Sequence, residues 1–291
     1  MALDEPYRLD KRRVRATFER AASGYDRTAV LQHEVCDRLL ERLDLVRLSP
    51  ARVLDIGTGT GRAARGLRSH YKRSLVCGLD LSEAMLHQAR RAAGWWRRPV
   101  WVAGDAERLP FADGVFDLVV SSLALQWCDD LDRTFAGVRR ALAPGGLFQF
   151  STFGPDTLRE LREAWRRVDP EGTHVNRFLD MHDIGDALVR AGFADPVMDM
   201  EMMTVTYAEL GQLMHDLRAI GASNANAGRP RGLTPRSRLQ ALEAAYEVFR
   251  REDGSLPASY EVIYGHAWAP NVPVVGPAGR PERFIPIKPE S

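Results

Sequence analysis

Between residues 51 and 152 the chain carries a series of short apolar runs: ARVLDI (51–56), SLVCGLD (74–80), PVWVAGD (99–105), FDLVVSS (116–122) and GLFQFST (146–152). Helical patterns fall between them at 61–70, 82–93 and 131–142, and the turn APGG precedes the fifth run. Strands that are apolar on both faces and joined by helices require a parallel sheet covered on both sides. Five strands in about a hundred residues leave short loops and too few repeats for a barrel. The pattern therefore predicts a doubly wound α/β sheet.

The first run ends in VLDIGTGTGR, where Gly57, Gly59 and Gly61 allow a helix N-terminus to approach a bound cofactor closely. Asp55 inside this turn argues against a dinucleotide, because a carboxylate beside a pyrophosphate is repelled. Beside an ammonium group it makes a charge-assisted hydrogen bond, which favours a cofactor with a cationic amino-acid end. Asp80 ends the second run, where a carboxylate accepts from ribose hydroxyls. Asp105 and Ala106 end the third, in position for an adenine ring. Leu81, Met85 and Leu109 are either apolar walls of this site or plain core. All these strand ends point to one crevice, the expected ligand position in an open parallel sheet.

Outside this block the chain reads differently. Residues 8–25 form a charged amphipathic helix with Val14, Phe18 and Ala22 on one stripe, either packed or closing over the cofactor, and 29–45 form a second helix. A polar insertion follows at 155–180, with a helix in RELREAWRR, and another helix ends at Gly192. PVMDMEMMTVTY alternates as a sixth strand and ASYEVIYGHAWA (258–269) reads as a seventh, with helices at 208–220 and 236–251 between them. Six prolines from Pro270 to Pro289 predict a tail without regular elements. The expected divisions are 1–45, 46–154, 155–269 and 270–291.

The 40 Lys/Arg and 39 Asp/Glu give a net charge of +1, against a general nucleic-acid binder. Cys36, Cys77 and Cys128 are isolated, with no metal-ligand spacing, so no metal is expected. The start MALDEPYRLDKRR lacks a signal-length apolar stretch, and no run is long enough to span a membrane. A cytoplasmic protein is expected.

VLDIGTGTGR, GLDLS, GDAERLPFADGVFDLVVSS and LAPGGLFQFST, in that order, resemble the successive motifs of the class I S-adenosylmethionine-dependent methyltransferases. The resemblance implies a Rossmann-like sheet of order 3-2-1-4-5-7-6 with strand seven antiparallel. It also implies S-adenosylmethionine as cofactor, S-adenosylhomocysteine as product, and a core at 46–154 capped by residues 1–45. Asp55, Gly57, Thr58, Gly59, Gly61, Asp80, Leu81, Asp105, Ala106 and Ser122 are the candidate cofactor residues.

RVRATFERAASGYD, SSLALQWCDDL, FGPDTLREL, HVNRFLDMHDIGDAL and LRAIGASNANAGRPRGLT resemble the malonyl-[acyl-carrier protein] O-methyltransferases of biotin synthesis, and the match covers most of 11–269. This implies esterification of a malonyl carboxyl on an acyl-carrier protein, or on coenzyme A, by a monomer whose 155–269 insertions form a substrate lid. Arg177 and Arg229 are the candidates to hold the malonyl carboxylate. His174 and Asn176 are candidate donors to an acceptor oxygen, His174 having a purely structural reading as well. Tyr25, Gln126, Trp127 and Asn224 complete the candidate acceptor site. Arg12, Arg13, Arg15, Arg231, Arg236 and Arg238 are candidates for the surface that meets an acidic carrier. A related complex I assembly factor, assigned arginine hydroxylation, resembles parts of the chain, and a non-catalytic binding protein is the alternative of a different class.

Overall fold

The computed structural model describes residues 8–94, 98–229, 232 and 234–271. One seven-stranded sheet runs through it in the order β3-β2-β1-β4-β5-β7-β6. The strands are β1 (Arg52–Ile56), β2 (Leu75–Asp80), β3 (Val100–Ala103), β4 (Phe116–Ser122), β5 (Leu142–Phe153), β6 (Ala194–Tyr207) and β7 (Leu256–Trp268). β1 pairs in parallel with β2 and β4, and β7 runs antiparallel to β5 and β6. The doubly wound order expected from the resemblance is the observed one.

The helices are α1 (Lys11–Ala21), α2 (Tyr25–Thr28), α3 (Val30–Glu41), α4 (Arg62–His70), α5 (Glu83–Ala92), α6 (Leu131–Ala141), α7 (Arg159–Val168), α8 (Met181–Arg190), α9 (Leu210–Ala219) and α10 (Arg236–Tyr246). Successive strand residues point to opposite faces, and the core divides accordingly. Val53 and Val120 pack with Leu39 of α3, Leu67 of α4, Leu161 of α7 and Leu242 of α10. Leu54, Val119, Phe148 and Phe150 pack with Phe135 of α6 and with Ile184 and Leu188 of α8.

Three expectations are corrected in detail. The helix expected over 8–25 breaks after Ala21, where the Gly24 amide closes a turn onto the Ala21 carbonyl and α2 starts afresh. The break follows from Ser23 and Gly24, which are poor helix formers. APGG is not a turn before β5 but lies within it. Gly145 adopts a positive φ of 75° and its amide bonds the Ala269 carbonyl, so the segment continues along the end of β7. α3 and α10 end earlier than expected, each passing into a 3-10 turn. Arg231 and all but the first residues of the proline-rich tail lie outside the described residues.

The fully buried Phe135 stacks within a cluster of Phe148 and Phe150, at ring-centroid distances of 5.7 and 5.9 Å. Phe135→Ala is expected to destabilise the chain by about 3–5 kcal/mol, a loss that urea unfolding would measure.

Candidate functional site

At the carboxyl ends of β1 to β4, where ligands bind in open parallel sheets, lies a cavity of about 100 Å³. Its floor is the glycine turn. Gly57 (φ 69°) bonds the Leu79 carbonyl through its amide, and a Cβ there would stand 2.2 Å from that of Ala124. Gly59 (φ 54°) faces open space, and its amide donates to Asp80 Oδ2 at 2.8 Å. Asp80 Oδ1 accepts from the Ser82 amide at 2.8 Å, so one side chain ties the turn to the start of α5. Burial pushes the Asp80 carboxyl up to about 6, against the pull of those backbone donors.

Gly57, Gly59, Asp80, Leu81, Asp105, Ala106, Ser122, Tyr25 and Trp127 all line this cavity. Asp55, Thr58 and Gly61 do not line it, and Asp55 and Thr58 are buried. Thr58 Oγ1 donates to Asp55 Oδ2 at 2.5 Å, while Asp55 Oδ1 is buried without a hydrogen-bond partner. Burial pushes the Asp55 carboxyl up to about 7, offset in part by Thr58. Gly61 serves packing, since a Cβ there would press on the Trp101 ring at 2.6 Å. Met85 also lines the cavity, whereas Leu109 is core packed with the α6 side of the sheet.

α1 and α2 roof the cavity through Lys11, Val14, Phe18 and Tyr25. The stripe of Val14 and Phe18 thus closes over the site. Lys11 Nζ lies 3.2 Å from Asp105 Oδ1 and 2.9 Å from Glu107 Oε1. Asp26 of α2 accepts from Thr60 Oγ1 at 2.6 Å, pinning the roof to the glycine turn. Burial, with Asp80 and Asp26 nearby, drives the Tyr25 phenol far above its ordinary value, so it stays neutral.

Trp127 also lines a second, open cavity of about 340 Å³, shared with Gln126, His174, Asn176, Asn224, Arg229 and Arg13. Gln126 Nε2 donates to the Leu123 carbonyl at 2.7 Å, and its Oε1 accepts from Thr152 Oγ1 at 3.3 Å. His174 stacks on Trp165 with ring centroids 3.7 Å apart, and its Nε2 lies 2.8 Å from Asp169 Oδ2. The structural reading of His174 therefore has a physical basis. Asn224 donates to the Thr173 carbonyl, and Asn176 accepts from the Ala225 amide at 3.4 Å. Arg177 is exposed and lines an adjoining pocket instead.

Sequence reasoning missed several residues here. Arg13, expected on the carrier-facing surface, turns into the second cavity, and its Nε donates to the Asn224 carbonyl at 3.1 Å. Lys11 is three residues before Val14, so the helical spacing of the apolar stripe was a usable signal. Leu123 lines the first cavity with a positive φ of 48°, a strained backbone of the kind found at working sites. No sequence pattern marks it. Arg12, Arg15 and Arg236 are exposed, Arg15 pairing with Glu19 and Glu83, and Arg238 pairs with Asp169.

The residues fit the expected cofactor on two counts. Gly59 leaves open space where any side chain would project, and the orphaned Asp55 oxygen behind the turn suits a cationic, hydrogen-bonding neighbour. Among the described residues no His, Cys, Asp and Glu group is arranged to hold a metal ion.

Comparison with known proteins agrees with this geometry. Residues 54–150 match the family model described as a methyltransferase domain. The YcgJ protein of Bacillus subtilis superposes with a TM-score of 0.58 at 18% identity, covering 82% of this chain and 99% of that one. The chain is an S-adenosylmethionine-dependent methyltransferase. The malonyl-[acyl-carrier protein] O-methyltransferase of Laribacter hongkongensis is 53% identical over 97% of this chain and 95% of its own length. That of Halorhodospira halophila is 51% identical over 94% and 91%. The chain belongs to the malonyl-[acyl-carrier protein] O-methyltransferase family.

The raised Asp55 and Asp80 carboxyls set opposite pH slopes. In the ligand-free chain the folded state holds protons that the unfolded state has released, so stability falls as pH rises through about 4 to 7. Affinity for a donor with an ammonium group rises over the upper part of that range, as the carboxylates form. Calorimetric binding is expected to weaken by about tenfold from about pH 8 to about pH 5.5. Asp80→Asn is expected to cost at least about tenfold in donor affinity at pH 8.

Proposed function

We propose that this enzyme transfers the methyl group of S-adenosylmethionine to the free carboxyl of malonyl-acyl-carrier protein. The product is the methyl ester that primes pimeloyl assembly for biotin. The single observation that carries this reading is the pair of cavities meeting at Trp127. One is built for a nucleoside with a cationic end, and the other holds arginines with no carboxylate among its described lining residues. The names of the family relatives supply the acceptor. The hydroxylase and non-catalytic alternatives gain no support from them.

In this reading Asp80 accepts the ribose hydroxyls, Asp105 and Ala106 face the adenine, and the glycine turn with Asp55 behind it receives the amino-acid end. Bound S-adenosylmethionine supplies an electrophilic methyl carbon on a positively charged sulfur. The malonyl carboxylate is already ionised at neutral pH and needs no general base. Transfer of that methyl to an anionic oxygen would cancel one negative and one positive charge together. Such a step is favoured by apolar surroundings that exclude water, which Phe18, Leu81 and Trp127 provide. Alignment of the two reactants supplies the rest.

The methyl ester removes a charge whose unpaired burial in an apolar elongation pocket is costly. We read the protein as a cytoplasmic monomer: both cavities are complete within one chain, and Cys36, Cys77 and Cys128 are buried and unpaired, as suits a reducing compartment. No helix of the described residues is long and apolar enough to cross a membrane.

The test is transfer of labelled methyl from S-adenosylmethionine to purified malonyl-carrier protein, with acetyl-carrier protein as control. Malonyl-dependent label that mild base releases is expected. Absence of labelling by an enzyme that binds the donor would overturn the reading.

A further inference from the structure

Arg13 of α1 and Arg229 face the same cavity from different parts of the chain. Each is aimed by a carbonyl of one short segment: Arg13 Nε donates to Asn224 O at 3.1 Å, and Arg229 Nη1 to Asn226 O at 2.9 Å. That segment is held firmly. Asn224 and Asn226 donate to the Thr173 and Val175 carbonyls, and the Asp10 amide bonds the Ala225 carbonyl at 3.0 Å. Leu9 and Asn226 form a β-bridge, and Leu9, Val14 and Ala225 share one apolar cluster with Trp127. The N-cap end of α1 is therefore anchored to residues 224–229 through Leu9 and Asp10, and the rest of the helix extends from that anchor over the first cavity.

Two guanidinium groups brought together repel each other unless an anion lies between them. The carboxylate in contact is that of Asp10, which caps α1 by accepting from the Arg13 amide and reaches Arg229 Nη2 only at 3.5 Å. Burial and the charges of Arg229 and Arg20 loosen the proton on Arg13, against the pull of Asp10. Asp10 leaves one cationic charge of the pair unmatched, beside Trp127 and the donor cavity. A planar carboxylate suits the guanidinium fork.

Resting on the reading above, we propose that Arg13 and Arg229 together clamp the carboxylate that is to be methylated, and that this contact holds α1 closed over the donor. α1 carries residues of both sites, with Lys11, Val14 and Phe18 over the donor and Arg13 at the acceptor. Seating the acceptor carboxylate cancels the repulsion and locks the roof. Methylation removes the negative charge, the two arginines again repel, and the roof is released with the neutral ester. The same change of charge recognises the substrate and discharges the product. Arg13 thus reads the acceptor, in addition to any contribution to the outer surface.

The experiment uses the full chain. In the dead-end complex of enzyme, S-adenosylhomocysteine and malonyl-carrier protein, release of S-adenosylhomocysteine is followed by stopped flow. Malonyl-carrier protein is expected to slow release by about fivefold or more, and acetyl-carrier protein or the methyl ester to leave it unchanged. Arg13→Gln and Arg229→Gln are expected to abolish the slowing and raise KM for malonyl-carrier protein by at least about tenfold. Affinity for S-adenosylhomocysteine alone stays within about threefold of wild type, which also verifies folding. Arg13→Lys restores part of the KM, because it keeps the charge and loses the fork. Wild-type methylation of malonyl-carrier protein together with an unchanged KM and unchanged slowing in Arg13→Gln overturns this inference and leaves the function standing. Failure of the wild type to methylate that substrate overturns both.

Discussion

The Gly59 amide bonded to Asp80 is the contact around which the donor half of the molecule is arranged. Parallel strands end with their backbone groups directed at the same crevice, and a ligand can approach only if the first turn lies flat. The backbone of 57–59 does lie flat, with both glycines at positive φ and the Gly57 and Thr58 amides on one carbonyl of β2. Asp80 holds that turn and the start of α5 with one oxygen each. The carboxylate is thereby presented to the cavity with its orientation already set. A ligand that meets this carboxylate finds it already oriented, so little binding energy is spent on ordering it.

Burial of that carboxylate carries a cost in the absence of a ligand. Asp80 and Asp55 lie close to each other and both are harder to ionise than an exposed aspartate. The chain retains this unfavourable electrostatics at the one place where a cation is expected, in the same way that positive φ at Leu123 is retained beside it. Two buried carboxylates and the positive φ of Leu123 meet at the crevice, while the faces of the sheet are filled mainly by apolar side chains.

Much of the sheet was legible because its determinants are local. Valine and leucine runs with the period of strands, a glycine turn, and aspartates at strand ends specify β1 to β4 and the crevice at their ends directly. The acceptor site was less legible because its contacts join distant segments. Asn224 and Asn176 stood out in the sequence, but nothing local shows that residues 173–176, 224–229 and α1 meet, and Arg13 was accordingly assigned to the outer surface. The absorption of APGG into β5 is a similar case, decided by pairing with the distant end of β7.

The separation of donor and acceptor determinants has a mechanistic consequence. The first cavity has its floor in the α/β core, which distant folds share at 18% identity, and its roof in α1 and α2. The second is lined by α1, α7, α9 and the loops around 173 and 224, together with Phe153 of β5 and Tyr260 of β7. Trp127 belongs to both and packs edge-on against Phe18 at 5.2 Å. A shift of α1 therefore reaches the donor through Phe18 and the acceptor through Arg13 at once. Coupling between the two sites needs no long relay across the sheet, only this one helix with two working faces. Substrate choice can then diverge in the insertions while the chemistry of the core stays the same.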